Sequence, residues 1–332
     1  MKFKKIIITS LVLITIGITM VIAAFAFSEI DFDDFHQNVI SKTYDINGEF
    51  DSIDIRLNVS DLNLYLSNDE TNKAICLEKD NITFSVEVKE NVLVIEEKYN
   101  FTFFNLGETE ISLFLNKKDY EKINIETDTG DISISDQFVV QDLTIKGTTN
   151  DVSLMNKVEQ QANIELTTGD LSLYRALINN LDVEVSTGEV DIKESLISNN
   201  AQITSKTGDV EINDTKVNRE IKIIGNTTDI SLENVECNLI DVSASTGDVK
   251  LSNVVANESI ILITDTGDIK LKSSDANNIT IETTTGDVRG SLLSDKIFIV
   301  RSNTGHIIVP ETISGGKCKI TTDTGDIYIE IE

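Results

Sequence analysis

Proline, histidine, tryptophan and cysteine are all scarce in this sequence. The 332 residues include one proline, two histidines, three cysteines and no tryptophan. His36 and His306 stand far apart, and the chain has no Gly-x-Ser-x-Gly, His-Glu-x-x-His or phosphate-binding glycine loop. Cys76, Cys237 and Cys318 are odd in number and lack metal-ligand spacing, which argues against a disulfide framework and a zinc site. We therefore expect no catalytic residue and no cofactor.

Positive charge is scarce as well. Lys and Arg total 28 against 56 Asp and Glu, so the formal net charge is -28. Such a surface repels phosphate backbones, and this excludes nucleic acid as the expected partner. Cationic peptides, divalent ions and basic patches on envelope proteins suit it electrostatically. The same charge also keeps a β-rich rod soluble, which is the simpler interpretation.

The sequence is rich in one phrase: Thr-Gly-Asp followed by an apolar, a variable and an apolar residue. The glycine of this phrase, here called the corner position, recurs every 19 or 20 residues. A period of this length predicts a solenoid, in which each coil buries its apolar face against its neighbours. The corner positions are Gly130, Asn150, Gly169, Gly188, Gly208, Thr228, Gly247, Gly267, Gly286, Gly305 and Gly325.

Residues on both sides of the corner predict two strands per coil. The positions two and four after it are apolar except at Gly290, and the position five before it is always a branched apolar residue. This period-two alternation is typical of strands with one buried face. We predict an all-β fold: a parallel β-solenoid of about eleven coils, each with a strand, a corner, a strand and a polar return. The coils are expected to stack one after another, with identical positions in register.

Glycine suits the corner because it adopts a positive φ without strain. Asn150 is the substitute that best tolerates this conformation, whereas Thr228 is expected to lie outside the positive-φ region. The position three residues before the corner is mostly Gly, Ala, Ser or Thr, which indicates an inward position with little room. Pro310 follows the second strand of its coil, where a missing N–H is tolerable.

The amino terminus differs from the repeats. Lysines at positions 2, 4 and 5 precede an uncharged run from Ile6 to Phe27, which is long enough to cross a bilayer. Because lysines favour the cytoplasmic side, residues 1–28 are predicted to be a signal anchor. The chain is then a single-pass cell-membrane protein with its carboxyl end outside. Cleavage after Ala26 as a secretory signal stays open as the alternative.

Two segments separate this anchor from the repeats. Residues 29–43 are acidic and polar and are predicted to form a juxtamembrane spacer. Residues 44–122 contain short alternating runs without a strict register. Because the open end of a solenoid needs covering, we predict that this segment is an irregular β cap. Residues 123–332 are predicted to form the solenoid.

An aspartate follows most corner positions and predicts a ladder of carboxylates. Neighbouring carboxylates about 4.8 Å apart repel by roughly 1 kcal/mol per pair even at the dielectric constant of water. Either Ca²⁺ bridges the coils, or each carboxylate accepts hydrogen bonds from the N–H groups of its own corner. We favour the structural alternative, because one carboxylate per coil is thin coordination for calcium. Glu189 and His306 take the place of aspartate in two coils. The ladder consists of Asp131, Asp151, Asp170, Asp209, Asp229, Asp248, Asp268, Asp287 and Asp326.

A second row is predicted at the outward position three residues after each corner. It changes from polar through acidic to basic along the chain, from Ser133 and Asp191 to Arg289. Solvated strand faces commonly look like this, and the row can also bind a ligand. An enzyme acting on envelope polysaccharide is the main alternative, but it requires clustered acids in a cleft formed by long insertions. The coils show no such insertions.

The order of these segments resembles a known family. An amino-terminal anchor, an irregular β-segment and Thr-Gly-Asp-Val/Ile repeats, the last at Thr324-Gly325-Asp326-Ile327, are similar to the toastrack family of adhesin-like proteins. That family includes LiaG-like and YvlB-like membrane-associated proteins. The resemblance implies a β-solenoid on the surface of a Gram-positive bacterium, linked to cell-envelope stress. We therefore expect a non-catalytic interaction module whose partner is an envelope protein, a cationic peptide or a cell-wall ligand.

Overall fold

The computed structural model describes residues 39–68, 71–100, 109–135 and 138–332. The predicted signal anchor and most of the spacer therefore lie outside the described residues. Every regular element in the described ranges is a β-strand, and these ranges contain no helix that is long and apolar enough to span a membrane. The fold is therefore all-β, as the sequence predicts.

Thirty strands follow one another in the part of the chain that the structure describes. The first group precedes the repeats: β1 (Ile40–Asp45), β2 (Ser52–Leu57), β3 (Asp61–Leu66), β4 (Lys73–Glu78), β5 (Ile82–Lys89), β6 (Val92–Tyr99) and β7 (Glu110–Leu115). The repeats supply β8 (Asp119–Thr129), β9 (Ile132–Ile134), β10 (Val139–Thr149), β11 (Val152–Leu154), β12 (Lys157–Thr168), β13 (Leu171–Tyr174), β14 (Leu177–Thr187), β15 (Val190–Lys193), β16 (Leu196–Ile197), β17 (Asn200–Thr207), β18 (Val210–Asn213), β19 (Lys216–Val217), β20 (Glu220–Thr227), β21 (Ile230–Glu233), β22 (Glu236–Thr246), β23 (Val249–Ser252), β24 (Val255–Thr266), β25 (Ile269–Thr285), β26 (Val288–Leu292), β27 (Lys296–Thr304), β28 (Ile307–Ile308), β29 (Gly316–Thr324) and β30 (Ile327–Ile331).

The repeats coil into two parallel ladders joined at the corner positions. Strands before the corner stack as one ladder, here called sheet one, and strands after it stack as sheet two. Identical positions are in register, as in Thr207 with Thr227 and Thr227 with Thr246. The inward side chains of all coils merge into one continuous apolar core that reaches from Ile46 to Ile329. The predicted parallel β-solenoid is confirmed.

The return segment is more regular than predicted. Instead of a wholly polar loop, it carries a short parallel strand run, in which Leu177–Ile178 pairs with β16 and β16 pairs with β19. A second turn precedes this run, six residues after the corner, and there non-glycine residues such as Glu194 and Asn253 adopt φ values near 50°. The run adds one buried side chain to each of these coils: Val158, Ile178, Ile197, Val217, Cys237, Ala256 and Ala276.

Coils at the carboxyl end do not stack in sequence order. β29 inserts between β25 and β27 in sheet one, and β30 inserts between β26 and β28 in sheet two. The last coil of the sequence is therefore second from the end of the rod, and the coil of β27 and β28 is outermost. The expectation of sequential stacking is wrong here. Parallel pairing allows this exchange because each coil offers the same edge to either neighbour.

Residues 40–115 make a corresponding exchange at the other end. β2 pairs in parallel with both β6 and β8, and β3 pairs in parallel with both β7 and β9. This segment thus adds two layers to the ladders of the repeats. Antiparallel strands then cover the outer edges: β5 lies against β6, while β4 and then β1 lie outside β7. These antiparallel strands close the amino end of the core.

Most corner glycines adopt the positive φ that the sequence predicts, and they also have no room for a side chain. In the coil of Gly267 φ is 152°, and a Cβ atom there would overlap the carbonyl oxygen of Gly247. Successive corners therefore lie backbone on backbone. Gly305 is outside the positive-φ group but meets the same obstruction from Gly325.

The two exceptional corners, Asn150 and Thr228, are built differently. Neither has a positive φ, so the prediction for Thr228 is confirmed and that for Asn150 is wrong. Both side chains turn inward and are buried. Each fills the space above a glycine three residues earlier, Gly147 or Gly225, where other coils carry a side chain. In these two corners the inward side chain is therefore carried by the corner residue and not by the residue three positions earlier.

The three cysteines are buried and free. Cys318 is completely inaccessible, as expected for its apolar position, and Cys237 packs in the return run. Burial raises the pKa of each thiol to about 12. These thiols are therefore packing groups and poor nucleophiles.

Candidate functional site

The aspartates after the corners form one continuous row along the rod. Along most of this row, though not at the two junctions beside Asp209, the backbone N–H of one coil donates a hydrogen bond to the Oδ1 atom of the neighbouring coil's aspartate. Asp268 donates to Asp248 at 2.8 Å, and Asp287 donates to Asp268 at 2.9 Å. The same bond joins Asp151 to Asp131, Asp170 to Asp151, Glu189 to Asp170, Asp248 to Asp229, Asp326 to Asp287 and His306 to Asp326.

These bonds change the structural explanation of the ladder. We expected each carboxylate to accept from its own corner, whereas the donor belongs to the next coil. The bonds therefore hold coils together, and a charged acceptor strengthens each one. A net contribution of roughly 1 kcal/mol or more per bond offsets the repulsion between neighbouring carboxylates.

The row follows the spatial order of the coils, including the exchange at the carboxyl end. After Asp287 it continues to Asp326 and ends at His306 on the outermost coil. His306 donates its N–H, but among the described residues no further coil lies beyond it to donate in turn, so a carboxylate has no ladder function there. At the amino end the row begins at Asp61, whose Oδ1 accepts from Asp131 at 2.8 Å. Sequence reasoning missed Asp61, although Asp61-Leu62-Asn63-Leu64 repeats the second half of the phrase.

Electrostatic neighbours differ along the row. Burial raises the pKa of Glu189, and the nearby Glu211 raises it further. Near the carboxyl end of the row, the backbone N–H of His306 lowers the pKa of Asp326. Between these two positions, Lys270 lies 3.5 Å from both Asp248 and Asp268. The carboxylates of this part of the row are thus partly neutralised by the chain itself.

Metal binding was the alternative explanation of this row. In the ranges that the structure describes, no group of three or more His, Cys, Asp or Glu side chains is placed to hold a metal ion. Most of the carboxylates accept a backbone N–H through Oδ1, and Lys270 and Arg289 occupy the second oxygens of Asp248, Asp268 and Asp287. Calcium prefers six to eight oxygen ligands, so this arrangement supplies few of them.

We predict that the protein folds without calcium. The full-length chain, purified in detergent, should give a strand-type circular dichroism spectrum in excess chelator. Its melting temperature should rise only slightly in millimolar Ca²⁺, because the apolar core is continuous without a metal. Mg²⁺ at the same ionic strength is the control for screening. A chain that unfolds in chelator and refolds on addition of Ca²⁺ would contradict the hydrogen-bonded ladder.

The predicted outward row is also continuous, on the outer face of sheet two. Strand pairing places its members side by side, and Tyr328 lies between Arg289 and Ile308. The row thus changes from polar through acidic and basic to apolar at the outermost coil. Arg289 contacts Asp287 at 2.6 Å and Lys193 contacts Asp191 at 2.7 Å, so several charges are paired within their own strand. In spatial order the row is Asn63, Ser133, Ser153, Ser172, Asp191, Glu211, Ser231, Lys250, Lys270, Arg289, Tyr328 and Ile308.

The protein is thus a parallel β-solenoid whose exposed side chains form in-register rows. The sequence model of the Toastrack DUF4097 family matches residues 44–226 and 220–332. The chain belongs to the Toastrack DUF4097 family, as the resemblance in its repeats implied. No curated protein matches the chain by sequence.

Solved structures give distant matches over most of the chain. A "putative adhesin" from Bacteroides fragilis is 16% identical, with 89% of this chain and 97% of that chain covered and a TM-score of 0.34. A "putative cell adhesion protein" from Clostridium sporogenes is 13% identical, with 89% and 100% covered and a TM-score of 0.28. A "putative lipid binding protein" from Parabacteroides distasonis is 13% identical, with 88% and 97% covered and a TM-score of 0.42.

Proposed function

We propose that this protein is a non-catalytic, adhesin-like binding module of the cell envelope, anchored by its amino-terminal segment with the solenoid outside the cell. The observation that carries the proposal is the unbroken outward row on sheet two. A regular ladder presents side chains at about 4.8 Å intervals on a rigid surface, which suits an extended partner better than a small substrate. A role in the envelope stress response is part of the same proposal.

The acidic centre of the row is the proposed contact for a basic patch on an envelope protein or for a cationic peptide. Asp191 and Glu211 are adjacent in the row. Glu189 lies beside them and has a raised pKa, caused first by burial and then by these neighbouring carboxylates. Concentrated like charge attracts an oppositely charged partner and speeds its association, and the effect weakens as salt rises.

Complementation of a deletion strain tests this function. We expect the deletion to change sensitivity to cell-wall antibiotics and cationic peptides, and wild-type protein to restore it. The double variant Asp191→Lys/Glu211→Lys should restore it poorly. The matched control Asp182→Lys/Glu184→Lys changes the net charge equally but lies on sheet one, so it should complement normally. Equal complementation by both variants would contradict the assigned contact.

Topology is measured in the same cells. Protease added to cells stripped of their wall should degrade the solenoid and spare an amino-terminal fragment. Recovery of protected full-length protein would reverse the orientation, and release of solenoid into the medium would favour cleavage after Ala26. A polysaccharide-degrading activity that survives in the complementing strain and not in the deletion would support the enzyme alternative.

A further inference from the structure

The outermost strands are covered at one end of the rod and unpaired along one edge at the other. At the amino end, β5 covers the edge of β6 along eight residues, and β4 and β1 cover β7. At the carboxyl end, β27 pairs only with β29 and β28 pairs only with β30 among the described residues. The outer edge of β27 thus exposes the N–H and C=O groups of alternate residues in a nine-residue strand, while the other residues pair with β29. Uncovered edges of this length pair readily with another strand.

Exposed apolar side chains are concentrated at the same end. Fifteen large hydrophobic side chains are exposed in the described ranges, and seven of them lie between residues 293 and 328. On β27, Ile297 is 47% exposed and Ile299 is 51% exposed. Phe298 and Val300 point inward but are only half-buried, because no described coil lies beyond them. An apolar patch along an open strand edge marks an interaction surface.

We propose that β27 pairs with β27 of a second copy of this chain, antiparallel and related by a two-fold axis. A register centred on Phe298 places it opposite the same residue of the partner copy. The exposed Ile297 then lies opposite Ile299 of the partner copy, and Asp295 lies opposite Arg301. The strand is complementary to itself in shape and charge, as a two-fold interface requires.

Other arrangements of two copies fit less well. Head-to-tail stacking would place the open edge against an amino end that is already covered by antiparallel strands. It would also meet His306, which offers no carboxylate to the corner N–H of a further coil. In sheet two, β28 has only two residues and is followed by Pro310, which lacks an N–H and ends the usable edge. Pairing is therefore confined to β27, and the assembly closes as a dimer.

The charge of β27 is compatible with self-association. The whole chain carries -28, so two copies repel when they meet side by side. The nine residues of β27 contain Lys296 and Arg301 and no acidic residue. Lys296 is buried and paired with Asp275 at 2.6 Å, so it adds little repulsion. The paired strands themselves therefore add no repulsion between carboxylates.

Disulfide trapping tests the register. In an antiparallel pair, directly opposed residues have Cα atoms about 4.5–5.5 Å apart, within disulfide range. Under mild oxidation, full-length Phe298→Cys in detergent should form a covalent dimer several-fold more than Ile224→Cys, an exposed position on an interior coil of sheet one. The native thiols are buried with pKa values of about 12 and should not contribute. Equal trapping at both positions would overturn the register.

Sedimentation of the same full-length chain tests the dimer itself. Wild type should convert from monomer to dimer with rising concentration. Asp295→Arg and Arg301→Asp should each weaken the dimer by at least about tenfold, because each places like charges opposite one another. The double variant Asp295→Arg/Arg301→Asp should restore it, which separates pairing from any folding defect. A wild type that stays monomeric, or one that forms larger open assemblies, would overturn the proposal.

Discussion

Replacing Gly267 by alanine should lower the free energy of unfolding by at least about 3 kcal/mol. Its φ of 152° is unfavourable for a residue with a side chain, and the new Cβ atom would overlap the carbonyl oxygen of Gly247. That oxygen belongs to backbone held in the ladder, so it cannot move aside without spreading two coils. Chemical denaturation of the full-length chain in detergent, followed by circular dichroism, measures the change.

Gly48 provides the matched control for Gly267. Its φ is also positive, at 109°, but a Cβ atom there would meet nothing closer than Val88 at 3.6 Å. Gly48→Ala should therefore cost only about 1 kcal/mol, the strain of the backbone conformation alone. Asparagine at position 267 should be as damaging as alanine, although its tolerance of positive φ would favour it. Equal losses at positions 48 and 267 would show that contact between corners is unimportant.

The exceptional corner at Thr228 offers the second large effect. Gly225→Thr should destabilise the protein by roughly 2–3 kcal/mol, because a Cβ atom at position 225 would lie 2.9 Å from the Cβ of Thr228. Thr228→Gly should also destabilise it, since it empties a buried position. Denaturation midpoints of both variants and of their combination measure these costs.

The combination of the two changes should be far less harmful than their sum. Gly225→Thr/Thr228→Gly recreates the corner of most other coils, with a small hydroxyl inside and glycine at the turn. We expect an interaction energy of at least about 2 kcal/mol in favour of the double variant. Strictly additive losses would mean that the inward side chain of Thr228 does not replace the one missing at Gly225.

Much of the fold follows from the pattern of the repeats. The period of 19 or 20 residues and the alternation on both sides of the corner predict parallel ladders and their register, because identical positions stack on one another. The buried position of Cys318 was predictable for the same reason. Periodicity is strong evidence when each coil has the same neighbours.

The order of the terminal coils could not be predicted from that pattern. The coil of β29 and β30 offers the same edges as any other, so its insertion beside β25 and β26 leaves no periodic signal. The two layers contributed by residues 40–115 lack the Thr-Gly-Asp phrase, so the spacing of that phrase does not reveal them either. Asn150 was misjudged because a propensity for positive φ was considered without the vacancy at Gly147.

The ladder shows a further limit of sequence reasoning. Its aspartates were predictable by position, but whether each accepts from its own corner or from the next depends on the direction of a side chain. Asp61 and His306 became understandable only once the coils were placed in space. Asp61 begins the row and His306 ends it, and the spacing of the repeats in the sequence indicates neither end.

Because coils exchange order only at the two ends, the number of interior coils can change without altering the structure of either end. Each end is completed by a coil that inserts next to the outermost layer, while every interior coil meets its neighbours through the same contacts. Whole coils of 19 or 20 residues can therefore be gained or lost in the interior by duplication or deletion, and neither the covered end nor the open tip needs to change. Evolution can therefore adjust the length of the rod without altering the strands that complete either end.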